Sequence, residues 1–388
     1  MPLPGSNRAK KPWQFIEPLM LMIYGGGRHI EDLREIKDDK ALRKPIWAQD
    51  IPSTSTFGDW LKRMGRGTGL YGVKKVDGKV VKDIVKRDKA NDYTLWVDAF
   101  TIEAEKESAK MTYKGFPGYH PLIGALKEVP LILKEEFREG NEHPGARAVE
   151  FLEECLKAMP RDKRIRHLGS DSALYQAGVI NLCKEKDITF TITADQDSAV
   201  KEAIKGIPER EWRPLYDRDG IKTDREVAET VHSMEKTEEA FRLIVIRWIN
   251  PQRNLFLGED YCYHCIATDL EVSPQEVVWT HNERGQMENY IKELKGGFGM
   301  EQMPSSDFFA NAVYFVLGVL VYNTTVAQKL FILPEEWSKK TIHTIRWALI
   351  GCAGKVVRHG RRLTLKLATT YEKYKLYLYM RQRCMTFI

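Results

Sequence analysis

Four residues between positions 281 and 295 have side chains and spacing that could bind a metal ion beside phosphate. Arg284 lies four positions before Glu288, while His281 and Lys295 each lie seven positions from that glutamate. Intervals of four and seven return to the same face of an α-helix, so one face would carry all four side chains. A carboxylate between cations suits a magnesium ligand next to a polyanion, with Glu288 on the metal and Arg284 and Lys295 on the phosphate.

The surrounding sequence predicts a single helix over residues 281–295. The stretch HNERGQMENYIKELK has no Gly or Pro after Gly285, and its Glu, Lys, Leu, Gln and Met are good helix formers. Asn282 is the expected N-cap, and Gly296 with Gly297 is the expected stop. A solvent-exposed helix face with one ion pair would show the same pattern, so a metal site requires further acids upstream.

A second acid, Asp98, lies in an apolar segment that predicts a buried strand. Residues 93–101 read YTLWVDAFT, and their β-branched and aromatic content favours a core strand with Asp98 at or near its end. Asp92, Glu103 and Glu105 are nearby acids that could take the same role.

A third acid, Asp171, follows residues 164–168 (RIRHL), which predict another strand. A helix to about Cys183 and a strand over 188–193 are expected next, an order typical of an α/β sheet. Asp171 would lie at a strand end, where such sheets place their ligands. The same residue could instead cap the following helix, and Asp195 and Asp197 are the alternative acids.

Three ordered motifs resemble those of the DDE transposases of bacterial insertion sequences. The first begins at Asp98 and reads Asp-Ala-x-Thr, followed by Glu-x-Glu-Lys, Tyr-Lys-Gly and Gly-Tyr-x-Pro-Leu. The second is Asp-Ser-x-x-Tyr from Asp171, and the third is Arg-x3-Glu-x6-Lys from Arg284. The resemblance spans about residues 24–362. Phe100 alters the usual Asp-x-Thr spacing, and His281 stands where the broader group often has Tyr.

The resemblance implies an RNase H-like core whose catalytic residues and metal ligands are Asp98, Asp171 and Glu288. Two Mg2+ ions are the implied cofactor, for which Mn2+ can substitute, and such a pair activates the attacking oxygen and stabilises the leaving oxygen at phosphorus. Arg284, Lys295 and His281 would contact DNA. The implied activity is cut-and-paste transposition, in which a homodimer in a synaptic complex cleaves inverted-repeat ends and transfers the strands into target DNA.

The expected fold is α/β, with an RNase H-like mixed sheet flanked by helices. A helical N-terminal region over 1–90 would contact the DNA end. Within it residues 13–67 are expected to be helical, with a Ser or Thr of the stretch 53–56 capping one helix, and residues 68–91 are expected to be a Gly- and Lys-rich loop or linker. Because the chain begins late compared with the family, this region is expected to be either short or truncated. The catalytic core would occupy 91–197 and 278–335, interrupted by a β-rich insertion over 198–277, and a basic region would cover 336–388.

Several strand-like segments support this division. Residues 102–106, 113–115 and 118–122 predict three antiparallel strands that open the sheet, and the segments 212–216, 227–234, 241–248 and 261–270 predict the β-rich insertion. As in the resembled family, that insertion would lie over the cleaved end. Trp212, Trp248 or Trp279 could stack there on a displaced base, although such tryptophans more often belong to a core. Cys262 and Cys265 flank His264 in a weak zinc pattern, since on a strand the two thiols would face opposite sides.

The C-terminal region is strongly basic. Between Lys339 and Ile388 there are 12 Lys and Arg residues and one acid, in a chain whose net charge is +6. Residues 337–352 predict a helix, and residues 355–367 predict a hairpin turning at His359–Gly360. An amphipathic helix over 371–383 would follow. We expect the hairpin residues Arg358, Arg361 and Arg362 to contact the DNA backbone.

Composition favours a reduced, globular protein. The 388 residues are 43% hydrophobic and 29% charged, with six scattered Cys, which argues against disorder and a disulfide framework. A cytoplasmic, nucleoid-associated location is expected, since residues 1–13 lack a signal-peptide core and the apolar run 308–333 reads as a buried helix rather than a membrane span. Two other function classes fit the sequence: an inactive or truncated DNA-binding descendant, and another RNase H-like nuclease.

Overall fold

The computed structural model describes residues 10–250, 261–360 and 362–387, and its centre is a nine-stranded mixed sheet. Together with a small three-stranded sheet and a C-terminal hairpin, the strands in chain order are β1 Asp92–Ala99, β2 Ile102–Glu103, β3 Lys110–Met111, β4 Pro117–Tyr119, β5 Leu122–Leu126, β6 Ile132–Glu136, β7 Arg164–Ser170, β8 Thr189–Thr193, β9 Arg213–Tyr216, β10 Lys222–His232, β11 Phe241–Ile249, β12 Tyr261–Thr268, β13 Gly354–His359 and β14 Arg362–Leu367.

Helices precede the sheet, cover it and follow it. They are α1 Trp13–Gly25, α2 Leu33–Asp38, α3 Thr54–Arg66, α4 Gly69–Arg87, α5 Ala148–Ala158, α6 Ala177–Glu185, α7 Ser198–Lys205, α8 Pro274–Asn282, α9 Gly285–Lys292, α10 Phe308–Phe331, α11 Ile342–Ile345 and α12 Tyr371–Phe387.

The main sheet has the order β6-β5-β1-β7-β8-β12-β11-β10-β9. β1 is antiparallel to β5 and parallel to β7, and β7 is parallel to β8. α6 makes the crossover between β7 and β8 that a parallel pair requires. This mixed α/β topology is compatible with the RNase H-like core of a transposase.

α10 forms the apolar centre against which the N-terminal helices pack. Among the described residues it is the one helix long and apolar enough to cross a membrane, and 89% of its most apolar window is buried inside the protein. It contacts α1, α3, α4 and β6. Its apolar surface on all sides therefore reflects burial by neighbouring elements, as expected from the sequence.

The prediction of a loop over residues 68–91 is wrong, because α4 occupies most of that stretch. Val73, Val81 and Ile84 lie at helical intervals and are buried, and this packing outweighs the weak helix propensity of the glycines. The prediction of helices over residues 13–67 is confirmed, including the N-cap of α3, where Ser53 Oγ accepts a hydrogen bond from the Thr56 amide.

The strands between residues 213 and 268 lie in the region predicted to be β-rich. They are continuous with the main sheet, because β12 pairs antiparallel with β8 through Ile266–Thr193 and Ala267–Ile192. The region is thus an extension of one sheet, and it ends where α8 turns back towards β8.

Two further predictions need correction. The segments over 102–122 do not open the main sheet, because β2, β3 and β4 form a separate small sheet. The antiparallel neighbour of β1 is β5, and β6 pairs with the other edge of β5; the residues of both strands are mostly buried. The helix predicted over 337–352 is shorter, consisting of α11 and a π-helical turn, Arg346–Ile350. The predicted C-terminal hairpin is confirmed, with Gly360 at φ 59° in its turn.

Candidate functional site

The pairing of β1 with β7 brings two of the predicted acids to one edge of the sheet. Val97 of β1 pairs with Ser170 of β7 in parallel register, and each is followed directly by an acid, Asp98 or Asp171. The Ser170 hydroxyl donates a 3.1 Å hydrogen bond to the Val97 carbonyl. Because paired strands lie about 4.8 Å apart, this register places the two acids on neighbouring strands at the same level of the sheet.

Asp171 also caps the turn that follows β7. Its Oδ1 accepts a 3.0 Å hydrogen bond from the Ala173 amide and begins a 3-10 turn over Ser172–Leu174. The sequence suggested Asp171 as the cap of the following helix, but the residue caps this 3-10 turn instead, and Gln176 is at the N-cap of α6. Because Oδ1 accepts the hydrogen bond of the turn, the orientation of the Asp171 carboxylate is fixed. Its other oxygen, Oδ2, can still accept hydrogen bonds or bind a cation.

Asp98 shares its electrostatic environment with the other predicted site residues. Burial and then the Asp171 carboxyl raise the pKa of Asp98 to about 7, with Glu288 adding to the rise and Arg284 opposing it. Arg284 Nη1 lies 3.4 Å from Asp98 Oδ2, and both side chains are largely shielded from solvent. A positive charge favours the ionised form of a largely buried carboxyl near other acids, and in this structure Arg284 supplies that charge.

The prediction of a single helix over 281–295 is wrong. α8 ends at Asn282, α9 begins at Gly285, and a π-helical turn over Glu293–Gly297 ends the segment. α8 begins at Pro274 because Ser273 and Glu276 form a capping box. Glu283 lies at the break, where it forms ion pairs with Lys127 and Arg218.

His281 and Glu288 therefore lie in two different helices. His281 belongs to α8, is 4% exposed and lies with Nε2 3.0 Å from the hydroxyl of Thr193. Burial and then Arg284 lower the pKa of His281 to about 3. The structure thus places His281 in a buried position between α8 and β8, and its contact with DNA stays a prediction.

α9 carries Glu288 across the acid-bearing end of β1. Met287 is buried, and the Tyr290 ring lies 6.3 Å from the Trp96 ring of β1. Glu288 itself is exposed on the solvent side of this short helix. Lys295 follows in the π-helical turn and donates a 2.9 Å hydrogen bond to the Thr101 carbonyl just beyond β1. The helix thus brings Arg284, Glu288 and Lys295 near one strand end.

The alternative acids lie elsewhere. Asp92 is at the opposite end of β1, 2.5 Å from Arg164 Nε, and Asp197 caps α7 through the Val200 amide. The others, Glu103, Glu105 and Asp195, are exposed to solvent.

No three His, Cys, Asp or Glu side chains among residues 10–250, 261–360 and 362–387 lie close enough together to hold a metal ion as they stand. This includes the Cys262–His264–Cys265 segment, where Cys265 is buried and Cys262 is partly exposed. At the acid site the chemistry of the donors fits a hard divalent cation, whereas the present arrangement pairs Asp98 with Arg284.

One ionic cluster beside the site has no signal in the sequence. Glu283 immediately precedes Arg284, and its partners Lys127 and Arg218 lie 156 and 65 positions away along the chain. The cluster links the α8–α9 break to two separate parts of the chain and so holds in place the segment that contains Arg284, the residue directly before α9. Only the spatial arrangement reveals it.

The tryptophans predicted to stack on a base and the C-terminal arginines predicted to contact DNA differ in their exposure to solvent. Trp212 is buried, with the guanidinium of Arg247 4.1 Å above its ring, and Trp279 Nε1 donates a 2.9 Å hydrogen bond to the Tyr216 carbonyl. Arg358 and Arg362 are exposed on the hairpin, and Arg361 lies outside the described residues.

A mixed sheet with two acids at neighbouring strand ends and a third on a helix packed across them is compatible with an RNase H-like transposase. The family model described as transposase DDE domain group 1 matches residues 6–385. The chain therefore belongs to this family, and it is a DDE transposase. No curated protein matches the chain.

Proposed function

We propose that this protein is the transposase of a bacterial insertion sequence, which cleaves DNA at the inverted-repeat ends of its element and transfers the strands into target DNA. The catalytic residues are Asp98, Asp171 and Glu288. The observation that carries this proposal is the pairing of Val97 with Ser170, which puts Asp98 and Asp171 on adjacent strands beneath the helix that holds Glu288.

The donor set suits two Mg2+ ions, with Mn2+ as a substitute, because all three ligands are carboxylates. When bound, such a pair activates the attacking oxygen and stabilises the leaving oxygen at phosphorus. Burial and the Asp171 carboxyl raise the pKa of Asp98 to about 7, and a bound cation would favour the ionised form of this carboxyl. Binding requires Arg284 to leave Asp98 and requires Glu288 to approach the two aspartates.

Two cationic side chains of the site, Arg284 and Lys295, would then bind the phosphates of the DNA substrate. Arg284 is released from Asp98 and can turn to a phosphate beside the scissile bond, where its planar fork makes paired hydrogen bonds. Lys295 is held at the end of β1 by the Thr101 carbonyl and can donate its other ammonium protons to the backbone of the same DNA. Neither residue transfers a proton; both position the phosphate.

The wider assembly follows from the same proposal. Arg358, Arg361 and Arg362 of the C-terminal hairpin contact the DNA backbone, and two copies of the chain hold two element ends in a synaptic complex. The protein works in the cytoplasm on the nucleoid, where its DNA substrate is.

A strand-transfer assay tests the proposal. The wild type and Asp98→Asn are incubated with Mg2+, a duplex carrying the flanked element end and a plasmid target. We expect cleaved and joined products only from the wild type, with equal DNA binding by both proteins. Asp92→Asn, at the other end of the same strand, is the matched control and keeps activity. Cleavage without joining by the wild type would instead favour a simple nuclease.

A further inference from the structure

Lys295 lies in a π-helical turn, Glu293–Gly297, and not in the regular part of α9. The Phe298 amide donates a 3.0 Å hydrogen bond to the Glu293 carbonyl, which is the five-residue interval that defines such a turn. π-helical turns are rare and occur frequently at functional sites. The direction of the Lys295 side chain therefore depends on the contacts that keep this wide turn in place.

Arg346 connects the end of this turn to α1. Its Nη1 donates a 2.7 Å hydrogen bond to the Gly297 carbonyl. Its Nε and Nη2 donate hydrogen bonds of 2.6 and 2.8 Å to the carbonyls of Tyr24 and Ile23 near the end of α1, where the helix dipole favours a cation. Because a guanidinium is a planar fork of donors, it fixes these three carbonyls relative to one another.

Arg28 makes a second connection to the same turn. Its Nη2 donates a 3.1 Å hydrogen bond to the Gly296 carbonyl, and its Nη1 donates a 2.9 Å hydrogen bond to a carboxylate oxygen of Glu301. Burial lowers the pKa of Lys295, and the Glu301 carboxylate opposes this effect. Arg28 therefore holds both the residue that follows Lys295 and an acid whose charge acts on its ammonium group.

The start of the turn is held by α10 and α11. Glu293 Oε1 accepts a 2.7 Å hydrogen bond from the Ile342 amide of α11 and a 3.3 Å hydrogen bond from Lys329 Nζ of α10. At the end of the turn, a Cβ added to Gly297 would lie 2.8 Å from Cγ2 of Ile342, so α11 packs directly against the backbone. These contacts join the turn to two helices that are distant from it in sequence.

The ammonium group of Lys295 is thereby placed at the end of β1. It donates a 2.9 Å hydrogen bond to the Thr101 carbonyl and lies 5.9 Å from the centre of the Phe100 ring. A lysine carries its charge on a flexible four-carbon stem, so the ammonium group keeps this place only while the backbone of the turn is fixed. Thr101 follows Asp98 by three residues, and the carboxylate site is therefore close.

We infer that Arg346 and Arg28 are positioning residues for DNA cleavage, because they fix the π-helical turn that holds Lys295 beside the carboxylate site. This inference rests on the proposed function, in which Lys295 binds a phosphate of the DNA. The two guanidinium groups are bound to protein oxygens, so they act through Lys295 and not by touching the substrate. A displacement of about 1 Å in such a group can slow a reaction by about 100-fold.

A double-mutant cycle on the rate of cleavage at saturating DNA tests the inference. The wild type, Arg346→Gln, Lys295→Gln and the double variant are compared with Mg2+ and a duplex carrying the flanked element end. Arg346→Gln should slow the wild type at least about tenfold but the Lys295→Gln protein less than about twofold, because there the ammonium group to be positioned is gone. Arg346→Lys, which keeps the charge without the planar fork, should recover part of the rate.

A second variant guards against loss of folding. Arg28→Gln leaves the three hydrogen bonds of Arg346 in place, so it should fold and slow cleavage several-fold, and this loss should also disappear in the Lys295→Gln protein. In the DNA-free protein, both arginine variants should exchange the amide hydrogens of residues 293–299 faster than the wild type. Unchanged exchange in both variants would overturn the inference.

Arg242→Gln is the matched control for losing a guanidinium that binds backbone carbonyls. Arg242 donates to the carbonyls of Leu270 and Val272, and its variant should cleave like the wild type. If the wild type cleaves but Arg346→Gln and Arg28→Gln slow it equally with and without the Lys295 ammonium group, or slow it in neither case, the inference is overturned and the proposed function stands. A wild type that does not cleave the duplex would overturn both.

Discussion

Arg284 forms an ion pair with Asp98, with Nη1 3.4 Å from Oδ2, and thereby joins the start of α9 to the acid-bearing end of β1. The guanidinium places a positive charge beside Asp98, whose carboxyl is also near the negative charges of Asp171 and Glu288. The contact explains how the metal-free protein tolerates three acids near one strand end. It also makes Arg284 a competitor of any cation that binds Asp98.

Removing the guanidinium should destabilise the metal-free protein. For Arg284→Gln we expect the free energy of unfolding in urea with EDTA to fall by about 1 kcal/mol, because Asp98 loses its charged partner in a half-buried place. Saturating Mg2+ should shrink the deficit, since the metal replaces the lost charge. Arg218→Gln, which removes a nearby guanidinium that contacts Glu283 instead, is the control; an unchanged deficit with Mg2+ would contradict the competition.

Two substitutions at Asp171 should separate its two roles. Asn is as good a cap as Asp, so Asp171→Asn should unfold at nearly the wild-type urea concentration and yet lose DNA cleavage. Asp171→Ala should lose cleavage and in addition about 1 kcal/mol of stability, because the Ala173 amide loses its acceptor. Equal stability of the two variants would show that the cap contributes nothing.

The buried Asp77 should make stability depend on pH. Burial and then Glu135 raise its pKa well above the ordinary value, so the folded protein holds a proton that the unfolded chain releases above about pH 4. The free energy of unfolding therefore falls as pH rises from about 4 through the raised pKa. Asp77→Asn should flatten this fall in urea titrations of the metal-free protein, and Asp83→Asn, exposed on the same helix, should keep the wild-type profile.

His281 should have the opposite effect on the pH dependence of stability, so that its contribution rises with pH. Its folded pKa of about 3 lies below the unfolded value of about 6.5, so the unfolded chain binds the proton first as the pH falls. Stability from this residue is present above about pH 6.5 and is lost progressively towards pH 3. His281→Gln, which can still reach the Thr193 hydroxyl, should weaken that dependence and leave DNA affinity unchanged. Weaker DNA binding by this variant would instead support the predicted contact of His281 with DNA.

Local patterns in the sequence were sufficient for much of the fold. The apolar, β-branched segment around Asp98 and the strand–acid–helix–strand order around Asp171 predict elements that the structure confirms, because periodicity and burial act over short stretches. The Ser53 cap and the turn at Gly360 were found for the same reason.

The failures have a common physical cause. The pattern from His281 to Lys295 is continuous in helical spacing, and the break after Asn282 coincides with ion pairs of Glu283 to Lys127 and Arg218, which are distant in sequence. α4 was missed because its glycines and lysines suggest a loop until Asp77 and Ile84 meet the core. Tertiary contacts decided both cases, and no local rule contains them.

The central claim, that Glu288 completes a three-carboxylate site, is tested most directly by Mg2+-dependent cleavage of a duplex carrying the flanked element end. Glu288→Gln is compared with the wild type and with Glu103→Gln, which changes an exposed glutamate outside the site. We predict that Glu288→Gln binds the duplex normally and cleaves at least a thousandfold more slowly, while Glu103→Gln cleaves like the wild type. Equal cleavage by Glu288→Gln and the wild type would remove Glu288 from the site and contradict the account.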